Sequence, residues 1–150
     1  MRRPVLLAIL AALLVTSALP AQGSSTTTPP SLYKRLGGYD AIAAVTDDLI
    51  ARLAADKEIG RFLVGLSEDS KGKLRQHFVE FLCASAGGPC VYTARDMKTS
   101  HKGMGITGND WELAVKHLVA SLEKFKVPQK EKDEVLAFVS SLKKDIVEKP

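Results

Sequence analysis

The sequence predicts an all-α domain, and three observations carry that expectation. Apolar residues recur at helical spacing in several long stretches; Ala, Leu, Lys and Glu fill the intervals between sharp Gly and Pro punctuation; and nowhere do apolar and polar residues alternate as in a half-buried strand. With 150 residues, 45% of them hydrophobic, the chain has material for one core of ordinary size.

The first segment is set aside before the fold is read. Arg2 and Arg3 precede an apolar run from Val5 to Leu19 that ends at Pro20 and Ala21, the pattern of a signal peptide over residues 1–21. At about fifteen residues the run falls short of the roughly twenty needed to span a bilayer, so cleavage near Ala21 is expected. The mature protein is then periplasmic or extracellular, and touches a membrane only if the segment is retained. Residues 22–31 are Ser, Thr, Pro and Gly with almost nothing apolar, a flexible linker. The helical domain occupies residues 32–150.

A short helical turn from Ser31 to Leu36 stops at Gly37-Gly38, where a positive φ is cheap. Ile42, Val45, Leu49 and Leu53 mark a first long helix from about Asp40 to Ala55, and Phe62, Leu63 and Leu66 follow as an apolar corner. Leu74, Phe78, Phe81 and Leu82 mark a second, from about Lys71 to Ala86, stopped by Gly87-Gly88-Pro89. Between Tyr92 and Ile106, Gly103 and Gly105 interrupt the pattern, which predicts a short helix and a turn. Asn109 and Glu112 read as a capping pair for a third long helix carrying Trp111, Val115, Leu118, Val119 and Leu122. Pro128 opens the last, with Val135, Phe138, Val139, Leu142 and Ile146 on one face.

Charge excludes one class of partner. The net charge of +4 is 21 basic minus 17 acidic residues, and loss of Arg2 and Arg3 leaves about +2, too little for a nucleic-acid footprint. No phosphate loop, Gly-x-Ser-x-Gly elbow, His-Glu-x-x-His pair or Cys-x-x-Cys-His haem-attachment motif is present. What remains is three histidines and two cysteines. His101 lies between Met97 and Met104 on one face of a short helix, where it reads either as a hydrogen-bonded core residue or as a ligand. His77 shares the face of Leu74 and Phe81, and His117 projects beside the main apolar face, a structural or solvated position. Cys83 and Cys90 straddle the Gly-Gly-Pro turn, so in an oxidising compartment they can pair; the other reading is a buried free Cys83.

Longer motifs add to this. Leu32-Tyr33-Lys34-Arg35-Leu36-Gly37-Gly38, then Ala86-Gly87-Gly88-Pro89, then Tyr92-Thr93-Ala94-Arg95-Asp96-Met97 with His101, resemble the group I truncated haemoglobins from about Leu32 to Leu142. The resemblance implies a two-on-two helical sandwich around non-covalent haem b, with His101 as proximal iron ligand. Neutral imidazole suits that role, and glycines at 103 and 105 would let the backbone pass close to a porphyrin. Phe62, Leu63, Phe78 and Met97, with Ile106, Trp111, Val115 and Leu118, would line the slot. Arg95 and Lys98 would pair with the haem propionates.

The opposite, distal side departs from the family. Where relatives commonly place a Tyr that hydrogen-bonds dioxygen stands Ile50, and Leu74 and Phe78 occupy the two usual Gln sites. A few residues are inserted between Leu63 and Leu74. His77 matches the position from which some relatives ligate the iron, making it a second candidate metal ligand. Three functions follow from the resemblance: a globin that binds dioxygen or other diatomic gases, an electron-transfer protein with a redox partner protein and both His77 and His101 on iron, or a nitric-oxide dioxygenase or peroxidase-like enzyme.

Overall fold

The computed structural model describes residues 28–149, so the expected signal peptide and most of the linker lie outside the described residues. The elements in chain order are α1 (Leu32–Arg35), α2 (Gly38–Ala55), a 3₁₀ turn (Ile59–Phe62), α3 (Glu68–Ser85), α4 (Met97–His101), α5 (Gly108–Lys124), α6 (Gln129–Ser141) and α7 (Lys143–Ile146). Among the described residues there is no strand, only one isolated bridge between Thr107 and Lys149.

Helix α2 is the spine. One group of its buried residues, Val45 and Leu49, packs with Leu118 and Leu122 of α5 and Val135 of α6; another, Ile42 and Ala43, packs with Val79 and Cys83 of α3. Thr46 between them is fully buried because its hydroxyl donates to the Ile42 carbonyl at 2.8 Å. Helices α3 and α5 thus lean on a common support and scarcely meet each other. Pairing α2 with α3 and α5 with α6 gives the expected two-on-two sandwich.

The two Gly-Gly motifs, far apart in sequence, build one corner. Gly37 and Gly38 take φ of 97° and 81°, and the Tyr33 amide donates to the Ala86 carbonyl at 2.8 Å. Tyr33 then lies over Gly88, where a Cβ would come within 2.5 Å of its ring and 2.7 Å of Cys83 Sγ. Only glycine fits there. Cys83 and Cys90 are joined by a disulfide, their Cα atoms 5.7 Å apart, which fastens this corner.

Three helix boundaries differ from expectation. Helix α3 starts at Glu68 rather than near Lys71, because the Ser67 hydroxyl caps it by accepting from the Ser70 amide at 3.2 Å. The capping box of α5 is Thr107 with Asp110, not Asn109 with Glu112: the Asp110 amide donates to the Thr107 hydroxyl at 3.2 Å and the Thr107 amide to Asp110 Oδ2 at 2.9 Å. Asn109 instead reaches Glu58, at 3.0 Å. The last helix is broken before Ile146. The Ser141 hydroxyl donates to the Phe138 carbonyl at 2.6 Å, and the Leu142 amide bonds to Val139 at 2.9 Å rather than to Phe138. A side chain competing for a helix carbonyl bends the chain there, and α7 turns toward α4.

Candidate haem site

The side of the cleft carrying His101 begins with a cap. Asp96 accepts from the Thr99 amide and hydroxyl, both at 2.8 Å, which fixes where α4 starts; those bonds, the amide first, hold its carboxyl below the usual carboxylate range. Tyr92 donates to the Arg95 carbonyl at 2.7 Å and seats the approach to the helix. His101 closes α4, half-buried, with Nδ1 at 2.8 Å from the Met97 carbonyl. A carbonyl can only accept, so Nδ1 carries a proton, and in the neutral imidazole that leaves Nε2 with a free lone pair. Nothing among the described residues bonds to Nε2. That is the tautomer and orientation a metal-binding imidazole needs.

The three histidines separate by what they already hold. His117 Nε2 lies 2.9 Å from Asp56 Oδ2, so its role is structural. His77 makes no hydrogen bond: its Nδ1 is buried without a hydrogen-bond partner, and the Glu80 carboxylate 3.8 Å away is too far for one, though near enough to form an ion pair with a protonated ring. The ring as a whole is 42% exposed and edge-on to Tyr92, with centroids 6.5 Å apart.

Ile50 of α2 and Leu74 of α3 line one cavity of about 210 Å³ with Leu63. Ala54, Gly60, Val64, Leu66 and Lys71 complete it, and of these the sequence singled out only Leu66, as part of the apolar corner. Lys71 is turned to Glu68, 2.7 Å away, leaving the lining apolar around the Ile50 and Leu74 side chains. The corner itself is anchored by Arg61, which donates to both oxygens of the buried Asp110 at 2.7 and 2.8 Å and lies 4.3 Å over the Phe62 ring.

The residues expected to line the slot fall into two groups. Phe62, Leu63, Leu74, Met97 and Val115 are half-buried, whereas Ile106, Trp111 and Leu118 are buried. Leu118 is part of the cluster around Val45 and Leu49, and Phe78 packs against that same cluster. Arg95 and Lys98 are exposed and make no ion pair among the described residues. Gly103 and Gly105 are glycine because φ is 82° and 67°; space around the Gly103 Cβ position is open.

A haem fits this arrangement. A planar apolar group would cover half-buried apolar side chains, Nε2 of His101 would supply the iron ligand, and His77 on α3 has a buried nitrogen without a hydrogen-bond partner.

The comparisons agree with this geometry. The bacterial-like globin family pattern matches residues 31–148. The chain is 34% identical over 118 residues to the group 1 truncated hemoglobin of Mycolicibacterium paratuberculosis, spanning 79% of this chain and 85% of that one. It is 26% identical over 121 residues to the group 1 truncated hemoglobin of Tetrahymena pyriformis, spanning 81% and 98%. The crystal structure of the Tetrahymena pyriformis protein in its Fe(III) form shares the fold, with TM-score 0.72 at 24% identity over 79% of this chain and 98% of that one. The 2/2 hemoglobin from Synechococcus, in a cyanomet state with covalently attached heme, superposes with TM-score 0.71 at 27% identity and the same coverage. With its fold and its relatives in accord, the chain belongs to the bacterial-like globin family, among the group 1 truncated haemoglobins.

Proposed function

We propose that the chain is a haem b globin that binds diatomic ligands at an iron held by His101, with His77 closing the opposite side at rest. The observation that carries this is the Nδ1 bond from His101 to the Met97 carbonyl, which leaves Nε2 free. The bound haem would supply an iron with one position open to a small ligand. The protein's part is to hold that iron and shape what reaches it. Ile50 and Leu74 exclude water and offer no hydrogen bond, so carbon monoxide and nitric oxide would be favoured relative to dioxygen, whose polar bound form depends on donors. Arg95 and Lys98 are free to pair with propionates at the cleft mouth.

A second reading, an electron-transfer protein with both histidines on iron and a redox partner protein, is favoured by the uncommitted His77 ring. The absorption spectrum separates the two. A Soret band lost in His101→Gly and restored by added imidazole supports His101 as the ligand; a full, unchanged spectrum in His101→Gly refutes it. Resting low-spin bands that yield to carbon monoxide fit a gas-binding site, and low-spin bands that do not yield fit electron transfer.

We also propose export, as the residues up to Ala21 lead one to expect. The Cys83–Cys90 disulfide supports it, because such bonds persist in oxidising compartments. Mass spectrometry of protein from its native host should find a terminus near Gln22; an intact Met1 overturns the reading.

A further inference from the structure

The short helix that carries His101 has α7 as its main neighbour rather than the α2 spine. Immediately after His101 the chain makes a turn through two left-handed glycines, Gly103 and Gly105, with the half-exposed Met104 at its apex. The two glycines give the bend no polar side chain, and inside it the Met104 amide donates to the His101 carbonyl at 3.2 Å. One carboxylate holds it from outside. Glu148 accepts from the Gly103 amide through Oε1 and from the Gly105 amide through Oε2, each at 2.6 Å. The backbone continues the attachment: the amides of Glu148 and Lys149 donate to the Ile106 carbonyl at 2.9 and 3.2 Å, and the Gly108 amide donates to the Lys149 carbonyl at 3.0 Å. The segment after α7 therefore straps the whole path from His101 to the start of α5.

We propose that Glu148 is a positioning residue for the iron ligand: by gripping the Gly103 and Gly105 amides it fixes the end of α4 and so the direction of the His101 ring. The proposal rests on His101 being the ligand. The ring's rotation is set from within α4 by the Met97 carbonyl, and its placement from beyond α4 by Glu148. The two charge-assisted bonds are of the stronger kind, and the amides, Gly103 first, hold the Glu148 carboxyl below the usual range, so it is ionised when it grips. Groups that orient a metal-bound imidazole typically matter about 10- to 100-fold in metal affinity when removed.

The experiment is a cycle on the haem-loaded full chain. Haem transfer to excess apomyoglobin is timed for wild type, Glu148→Ala and Glu148→Gln, and again in a His101→Gly background supplied with imidazole. With His101 tethered, Glu148→Ala should lose haem about tenfold faster, and Glu148→Gln, which keeps one acceptor, should fall between. With free imidazole the Glu148 substitutions should make no difference, because the ligand no longer hangs from the turn. Amide exchange at Gly103 and Gly105 should quicken in both backgrounds. Equal acceleration in the two backgrounds, or none in either, overturns the positioning role. If His101→Gly without imidazole holds haem like wild type, the ligand reading falls, and this one with it.

Discussion

The corner where α1 meets the end of α3 and the wall that carries Leu74 and His77 are built from the same helix and end up opposite in character. At the corner, Val79 and Cys83 are wholly buried, Gly88 is clamped under Tyr33, and a disulfide closes the turn. At the wall, Leu74 and His77 of α3 stand half-buried, one on a cavity of about 210 Å³ and the other with a nitrogen that bonds to nothing. The corner's groups are satisfied by the chain itself. The wall's are not. Close packing and paired polar atoms are the rule in a protein interior, so a patch that departs from both marks where the chain expects something else.

If that division is real, damage to the corner should cost folding stability even without haem. The largest effect should come from Cys83→Ala with Cys90→Ala. Opening a cross-link with a sequence separation of 7 costs about 2.5 kcal/mol on chain-entropy grounds, read as a shift in the urea midpoint of the haem-free protein. A midpoint that does not move would mean the corner is held by packing alone. Next comes a pair on α3. Val79→Ala empties a fully buried site and should cost about 2 kcal/mol in the haem-free protein. Leu74→Ala, on the wall, should cost below about 1 kcal/mol there, yet weaken haem retention. Equal costs without haem would erase the distinction between the two regions.

The corner was also the part most readable in the sequence. Its Gly-Gly and Gly-Gly-Pro motifs are local signals with one physical cause, a backbone that must turn through positive φ or pass under a neighbour. The long helices were readable for a similar reason, since burial on one face imposes a period. Ambiguity began where local patterns compete. Asn109 and Glu112 have the spacing of a capping box, but Thr107 and Asp110 have it too, and Arg61 reaching in to Asp110 from 49 residues away backs the second pair. The break before α7 depends on which way the Ser141 hydroxyl turns, which no periodicity records. At the site, His101 was visible through its neighbours in sequence. Glu148, which grips the turn after it from across the chain, was not. Spacing set His117 apart as structural or solvated, but did not reveal its partner: Asp56 lies beside His117, whereas His77 has no hydrogen-bond partner.

The wall can be tested through His77 itself. A ligand supplied by the protein competes with an external one, so the observed affinity falls by the fraction of time the site is open. Replacing His77 with Ala should turn resting low-spin iron high-spin and raise the carbon monoxide association rate by about tenfold, the factor for a site open about one-tenth of the time. Because the ring is half-exposed and holds no hydrogen bond, the haem-free protein should keep its urea midpoint. Unchanged spectra and ligand rates would reduce His77 to a helix-edge residue and leave the pocket permanently open.

The smallest effect belongs to the joint between the regions. Asp56 ends α2, accepts from the Glu58 and Ile59 amides at 2.8 and 3.0 Å, and meets His117 of α5 at 2.9 Å. These contacts, the Ile59 amide foremost and His117 next, bring its carboxyl down to about 2 from an ordinary 3.8. A carboxyl whose pKa is lower folded than unfolded adds stability above its unfolded value and loses it as the proton returns. The contribution is therefore whole above about pH 4 and drains away as pH falls from about 4 to about 2. Asp56→Asn should remove that slope. Other carboxylates are also held low, Asp48 by Arg52 first and then Lys124, so the wild-type curve alone will not isolate Asp56. The difference between wild type and variant will, since Asp48 is common to both. Urea midpoints of the haem-free proteins across pH 5 to 2 should converge as acid is added, because only wild type has an Asp56 charge to lose. Parallel curves would show that the 3₁₀ turn and α5 hold their places without it.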